Sequence, residues 1–145
     1  MNWRAYLRTL SSDITLHPAV DEDLLAKSEV ALSVRFPEQL RSLLEQTNGV
    51  SGKYELPLVW SIERIVEDNL HVRSNAQFAE LYMPFDSLLF FADAGNGDQF
   101  AFPIVGRSIR GSDVFAWDHE NDSRSWVAPS LQTYLEWWLS GKLKL

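Results

Sequence analysis

Two apolar segments separated by a short polar one constrain the fold of this chain more than any other feature. The segments are "LLFFA" at residues 88–92 and "QFAF" at residues 99–102, and the sequence between them is "DAGNGD". A run that is apolar on both faces is typical of a buried, central strand. An Asn-Gly step between two such runs indicates a β-hairpin. The sequence therefore predicts a hairpin here, although Pro103 favours an edge position or a bulge for its second strand.

The polar segment has two chemical alternatives, a phosphate-binding loop and a calcium-binding loop. A Walker loop requires a lysine after its last glycine, where this chain has Asp98, which repels phosphate. An EF-hand requires oxygen ligands at alternate positions, but Gly95 and Gly97 follow Asp93 at that spacing and offer no side-chain oxygen. The segment is therefore interpreted as a turn.

Other motifs give no better support for catalysis. "GRSIRG" (106–111) is one residue too long for a nucleophile elbow. His119 lies between Asp118 and Glu120, but consecutive residues of an extended chain point to opposite faces and rarely converge on one ion. The chain has no cysteine, which excludes thiol catalysis and Cys-ligated zinc. We therefore expect a non-enzyme with no catalytic residue, metal ligand or cofactor.

The remaining pattern predicts helices before and after a strand-rich segment. Trp3, Tyr6, Leu7 and Leu10 have helical spacing, and Ser61 and Ser130 are suitable N-caps. The predicted elements are helices from Trp3 to Leu10, from about Asp21 to Ser33, from Pro37 to a cap at Asn48-Gly49, from Ile62 to Asn69 and from Ser130 to Gly141, with further strands at 55–60 and 113–117. Residues 70–84 are left as irregular or weakly helical. This order predicts an α+β fold in a single domain (1–145), with one mainly antiparallel β-sheet, flanking helices and a closing C-terminal helix.

Charge is concentrated in one part of the chain. The net charge is −7, and residues 86–122 contain seven acidic residues against Arg107 and Arg110. No basic stripe is visible, so nucleic-acid binding is not expected. An acidic surface favours a basic protein partner instead.

Candidate partner-binding residues come from this acidic region and from aromatic positions. The acids have no obvious role in a helix or a paired strand, and an aromatic side chain could provide a desolvated anchor. Trp3, Trp117 and Trp138 are expected in the core, whereas Trp137 lies about 100° round the helix from Trp138 and is expected nearer the surface. The candidates are Asp93, Asp98, Asp118, Glu120, Asp122, Trp137 and Tyr82.

The sequence gives no indication of a membrane segment. Arg4 and Arg8 interrupt the apolar stretch at the start, and no apolar run approaches the ~20 residues of a membrane span. We therefore expect a soluble, cytoplasmic protein.

Three segments together resemble the Smi/Knr-like domain of the SUKH superfamily over about residues 21–140. They are "LLAKSEVALSVRFPEQLRSLLEQTNGVSG" (24–52), "FFADAGNGDQFAF" (90–102) and "WVAPSLQTYLEWWL" (126–139). Phe36-Pro37 replaces the usual Leu-Pro, Ser33 a usual glycine and Val50 the second glycine of the cap. The resemblance implies an α+β domain without catalytic residues.

Two functions are compatible with this resemblance. Bacterial members resemble immunity proteins that bind and neutralise a toxin, often a nuclease. Fungal relatives are regulatory scaffolds of cell-wall signalling. The sequence leaves both open: an immunity protein with a cognate, basic toxin as its partner, or an intracellular regulatory module with a cellular protein partner.

Overall fold

The computed structural model describes residues 1–145 and contains six α-helices and seven β-strands. In chain order they are α1 (Trp3–Leu10), β1 (Thr15–Leu16), α2 (Glu22–Leu32), α3 (Glu38–Leu44), β2 (Val50–Ser51), β3 (Pro57–Val59), α4 (Ile62–Ser74), α5 (Ala76–Leu81), β4 (Leu88–Asp93), β5 (Gln99–Pro103), β6 (Val114–Trp117), β7 (Arg124–Ala128) and α6 (Leu131–Ser140). None of the helices is long and apolar enough to cross a membrane.

The α+β class is confirmed, but the strands form two antiparallel sheets rather than one. The first has the order β1-β2-β3 and the second the order β4-β5-β6-β7. The backbone N–H of Trp60 donates to the carbonyl of Phe91 at 2.7 Å and joins the two sheets at one point. Both sheets contribute to one cluster of buried apolar residues. The chain between residues 60 and 88 folds into helices, so the two sets of strands do not pair continuously.

Helix boundaries follow the capping residues of the sequence. The side chains of Asp21, Ser61 and Ser130 accept backbone N–H groups at the starts of α2, α4 and α6. Ser33 ends α2 in the left-handed conformation (φ 56°), which explains why a glycine would suit this position. These ends agree with the sequence prediction.

The prediction that Asn48-Gly49 caps the third helix is wrong. Helix α3 ends at Leu44, four residues before Asn48. Gly49 has φ +86°, and a Cβ there would lie 2.9 Å from both the carbonyl of Val59 and the N–H of Ser61. Glycine is therefore required for close packing against the start of α4, while the side chain of Asn48 accepts the N–H of Ile62.

The closing helix α6 covers one face of the four-stranded sheet. Phe91 stacks on Phe102 with ring centroids 4.4 Å apart, and Tyr134 of α6 packs edge-on against Phe91. The hydroxyl of the fully buried Tyr134 donates to the carbonyl of Leu58 at 3.0 Å, so α6 is also attached to the first sheet. Trp138 packs edge-on against Phe100, as the helical spacing predicts.

Strand β4 is an outer strand of its sheet, although its apolar sequence predicts a central one. Asn69 of α4 is fully buried and bonds the backbone of this edge: Phe90 N–H donates to its Oδ1 at 2.8 Å, and its Nδ2 donates to Phe90 O at 2.9 Å. Arg73 donates to Leu88 O at 3.1 Å. Side chains of α4 therefore bond the edge of β4 where a neighbouring strand would pair. Strand β4 is buried on both faces without being central.

Three further segments differ from the sequence prediction. Residues 70–84, left as irregular or weakly helical, are mostly helical: they contain the end of α4 and all of α5. Strand β5 is an inner strand, and Pro103 is tolerated at its end because β6 pairs only with residues 99–101. The short strands β1 and β2 and the outer strand β7 were not predicted.

Candidate partner-binding surface

Two acidic turns lie side by side at one end of the four-stranded sheet. The first joins β4 to β5, and the second joins β6 to β7. Asp98 of the first turn contacts His119 of the second, with 2.7 Å between Oδ1 and Nδ1, and the same oxygen accepts the His119 backbone N–H at 3.2 Å. Gly97 has φ +99°, and a Cβ there would lie 2.8 Å from the imidazole, so glycine allows the two turns to approach this closely. We call these residues, 93–98 and 118–123, the acidic turn pair.

Asp122 makes a second set of contacts that hold the acidic turn pair in place. One carboxylate oxygen accepts the indole N–H of Trp117 at 2.7 Å, and the other accepts the backbone N–H of Met83 at 2.8 Å. Arg124 forms an ion pair with the same carboxylate at 3.1 Å, and the Asp122 side chain is only 13% exposed. Asp122 therefore ties the β6–β7 turn to the segment after α5.

Asp93 is held by an ion pair at the other end of the acidic turn pair. Arg64 of α4 makes two bonds to it, at 2.7 and 3.1 Å. The guanidinium of Arg64 also lies over the buried ring of Trp60, 4.0 Å from the centroid. This bidentate contact connects α4 to the end of β4.

The expectation that these acids lack a structural role is therefore wrong for Asp93, Asp98 and Asp122. The other two predicted acids have freer carboxylates. Asp118 is half-exposed and accepts the backbone N–H of Glu120, and the side chain of Glu120 is exposed. Participation of all five in partner binding stays a prediction.

The contacts within the acidic turn pair shift three pKa values. The pKa of His119 is raised, chiefly by the hydrogen bond to Asp98. Desolvation alone would raise the pKa of Asp98, but the bonds and charge from His119 outweigh it, so the pKa lies below its usual value. The pKa of Asp122 is also lowered, because bonds from Met83, Trp117 and Arg124 exceed the opposing effect of burial. These carboxylates are thus stabilised in their charged forms.

The two predicted aromatic anchors are both partly buried. Tyr82 packs edge-on against Trp117 with centroids 5.2 Å apart, and its hydroxyl donates to the carbonyl of His119 at 3.0 Å. Trp137 is half-buried, with Lys142 lying 4.6 Å from its ring centroid. Trp117 itself is half-buried.

The most exposed tryptophan, Trp126 on β7, was missed by the sequence analysis. It is 52% exposed, and its indole N–H donates to the carboxylate of Asp113 at 3.0 Å. It lies directly opposite Phe115 of β6, so both side chains project from the same face of the sheet. The short segment "RSWVA" shows no polar-apolar alternation, and no Asn-Gly step marks the start of this strand.

The acidic turn pair also brings together three side chains of types that ligate metals. One oxygen or nitrogen each from Asp98, Asp118 and His119 lie within 4.8 Å of one another. The local sequence around His119 could not predict this cluster, because Asp98 comes from the other turn. The Nδ1 atom of His119 already bonds Asp98.

Comparison with known families agrees with the fold and the resemblance found in the sequence. The fold is an α+β domain with two adjoining acidic turns at one end of the four-stranded sheet. A SUKH family model, described as SMI1-KNR4 cell-wall, matches residues 22–135. The chain therefore belongs to the SMI1-KNR4 family of SUKH domains, which are generally non-catalytic immunity or regulatory domains. No curated protein matches the chain in sequence.

Proposed function

We propose that this chain is an immunity protein that binds a basic protein toxin and blocks it without a chemical step of its own. Membership of the SMI1-KNR4 family supports the general class. The acidic turn pair is the observation that supports a basic partner. Bonds from Arg64, His119 and the backbone N–H of Met83 fix three of its carboxylates and with them the geometry of the two turns. The freer carboxylates of Asp118 and Glu120 are presented on that fixed frame.

A pre-formed acidic surface acts mainly on the speed and selectivity of binding. Opposite fields steer a basic partner toward the surface, whereas exposed charges at an interface rim add little affinity. Asp118 and Glu120 are the acids best placed for this role, because no cation pairs with them. The carboxylate of Asp118 accepts only the backbone N–H of Glu120, and Glu120 is exposed. A nuclease is a suitable toxin, since its substrate-binding surface is basic. The protein would then act in the cytoplasm, with the toxin as its partner and no cofactor.

The alternative is a regulatory module that binds a cellular protein. The description of the matched family as cell-wall favours this second function. The two proposals use the same kind of surface and differ in the partner. Neutralisation of a toxin distinguishes them.

Co-expression with a toxin encoded next to the gene for this chain tests the proposal. Cells carrying the parent protein and the toxin are expected to grow, and cells with the toxin alone are not. The informative variant is Asp118→Asn with Glu120→Lys, because Asn keeps a side-chain oxygen that can accept the Glu120 N–H. Asp13→Asn with Glu136→Lys is a control with the same change in charge at two exposed acids outside the acidic turn pair.

The expected result is weaker protection by the Asp118/Glu120 variant and full protection by the control. Circular dichroism should be the same for all three proteins. If the parent neutralises no neighbouring toxin but co-purifies stoichiometrically with a cellular regulatory protein, the regulatory alternative replaces this proposal.

A further inference from the structure

The four-stranded sheet has two outer strands, β4 and β7, and only the free edge of β4 is hydrogen-bonded. The free edge of β4 is bonded by Asn69, by Arg73 and by the N–H of Trp60. Strand β7 pairs with β6 on one side and with nothing on the other. No side chain or backbone group outside the β6–β7 ladder bonds to the backbone of residues 124–128. An open edge of this kind is a template for another strand.

The register of β7 shows which backbone groups face outward. The N–H of Asp118 donates to the carbonyl of Ser123, so this carbonyl faces β6, while the N–H of Ser123 donates to Asn121 Oδ1 in the turn. Alternate residues of an antiparallel strand face opposite edges. Ser125 therefore also bonds toward β6, and the N–H and C=O groups of Arg124 and Trp126 face the open edge. A register shift follows Trp126, which limits the regular edge to a short segment.

An exposed tryptophan, Trp126, lies on the same strand as the open edge. Trp126 is 52% exposed, and its bond to Asp113 fixes the orientation of the indole. The neighbouring Ser125 is also exposed. Tryptophan is strongly enriched among residues that dominate binding energy. Backbone pairing along β7 with Trp126 packed on the added strand would provide the affinity that the acidic turn pair alone does not.

We propose that β7 is a docking edge, along which an extended, basic segment of a protein partner adds as a fifth strand. The basic character follows from charge complementarity, because Asp118 and Glu120 lie in the β6–β7 turn that leads into the edge and Asp113 lies at Trp126. Asp122 does not add to this charge, since Arg124 pairs with it. A second copy of the chain fits less well, since it brings a further net charge of −7. The inference rests on the proposed function for the identity of the partner, but the edge can be tested without it.

A synthetic octapeptide of alternating Lys and Val is a suitable probe, followed by nuclear magnetic resonance of the full chain. Addition of the peptide should shift the amide signals of residues 124–127 and slow hydrogen exchange at the amides of Arg124 and Trp126. The same peptide with N-methyl groups at alternate positions keeps the charge and loses the backbone pairing, so it should bind about tenfold more weakly. Shifts confined to another surface, or equal binding of the methylated peptide, would overturn the proposal.

Two substitutions at one position separate the anchor from the edge. Trp126→Ala removes the aromatic ring and keeps the N–H, whereas Trp126→Pro also removes an outward N–H without breaking the β6–β7 ladder. Both should weaken peptide binding about tenfold or more, with Trp126→Pro the weaker binder. If Trp126→Pro does not fold, the peptide data on the parent and the Trp126→Ala variant still decide the question.

Two controls identify the occupant. Sedimentation of the parent alone should show no dimer that Trp126→Pro disrupts, because such a dimer would make a second copy the occupant and overturn the proposal. With a neutralised toxin available, Trp126→Pro should protect cells poorly. Full protection by Trp126→Pro would rule out β7 as a docking edge but would leave the proposed function intact. Failure of the parent to neutralise any toxin would rule out the immunity function. The peptide experiment would still show whether β7 is a docking edge.

Discussion

Several polar residues in this protein bond groups that hold the fold together, and their side-chain type alone does not reveal this role. Asn69 is the clearest case: it is a polar side chain, fully buried, that bonds Phe90 on both its N–H and C=O groups. The acids of the acidic turn pair are a second case, since Asp93, Asp98 and Asp122 each have defined partners. The sequence does not reveal the roles of Asn69, Asp93 and Asp98, because their partners lie 21 to 29 positions away along the chain.

Replacement of Asn69 by Leu should destabilise the fold by about 2–4 kcal/mol. The substitution keeps the branching of the side chain but leaves two buried backbone groups of Phe90 unpaired, and each costs about 1–3 kcal/mol. Glu67→Leu is a matched control on the same helix, because Glu67 is exposed and should change stability by less than about 0.5 kcal/mol. Urea denaturation of both variants measures the difference. A loss of similar size in both would show that Asn69 does not hold the β4 edge.

The contact between Asp98 and His119 should make stability depend on pH. The pKa of His119 is raised above 6.5, so its contribution is fully present below pH 6.5 and is lost as pH rises through the folded pKa. The pKa of Asp98 is lowered below 3.8, so its contribution is present above pH 3.8 and is lost as pH falls through the folded pKa. The pair therefore contributes most between these two values.

Comparison with His119→Asn isolates this effect from the other two histidines. The stability difference between parent and variant, from denaturation at several pH values, should be larger at about pH 5.5 than at about pH 8.5. A difference that does not change with pH would contradict an ionised contact between the two turns.

At the scale of elements, the features that could be predicted from sequence are those with local causes. Helices α1, α2, α4 and α6 have amphipathic spacing and capping residues, and the β4–β5 hairpin has its Asn-Gly turn. The position of β4 at a sheet edge could not be predicted, because its burial depends on Asn69 and Arg73 from a helix. Strand β7 was missed because its pairing with β6 follows from the β6–β7 turn, which Asp122 shapes in a left-handed conformation (φ 61°).

The two adjacent tryptophans of α6 give a prediction at this scale. Trp138 packs edge-on against Phe100 of β5, whereas Trp137 contacts Lys142 near the end of the chain. Both are half-buried, so the contrast is smaller than helical spacing alone suggests. Trp138→Ala should cost about 2–3 kcal/mol and Trp137→Ala about 1 kcal/mol or less, measured by chemical denaturation. Equal losses would show that both rings support the same sheet contact.

At the scale of the whole molecule, the acidic charge supports the proposed binding of a basic partner. One buried cluster of apolar side chains connects both sheets and the helices. The candidate site could be predicted in part: the acidic region was visible in the sequence, but the division between fixed and free carboxylates was not. Trp126 could not be ranked above the other tryptophans, because its exposure depends on the outer position of β7.

The decisive test of the acidic docking surface is a stopped-flow experiment. It measures the rate at which a neutralised toxin associates with this protein as salt is increased. For the parent, the association rate should fall steeply as salt rises, while dissociation changes little. The Asp118→Asn/Glu120→Lys variant should associate roughly tenfold more slowly at low salt, and the Asp13→Asn/Glu136→Lys control should resemble the parent. A rate that is independent of salt, with both variants equal to the parent, would contradict the account of an acidic docking surface.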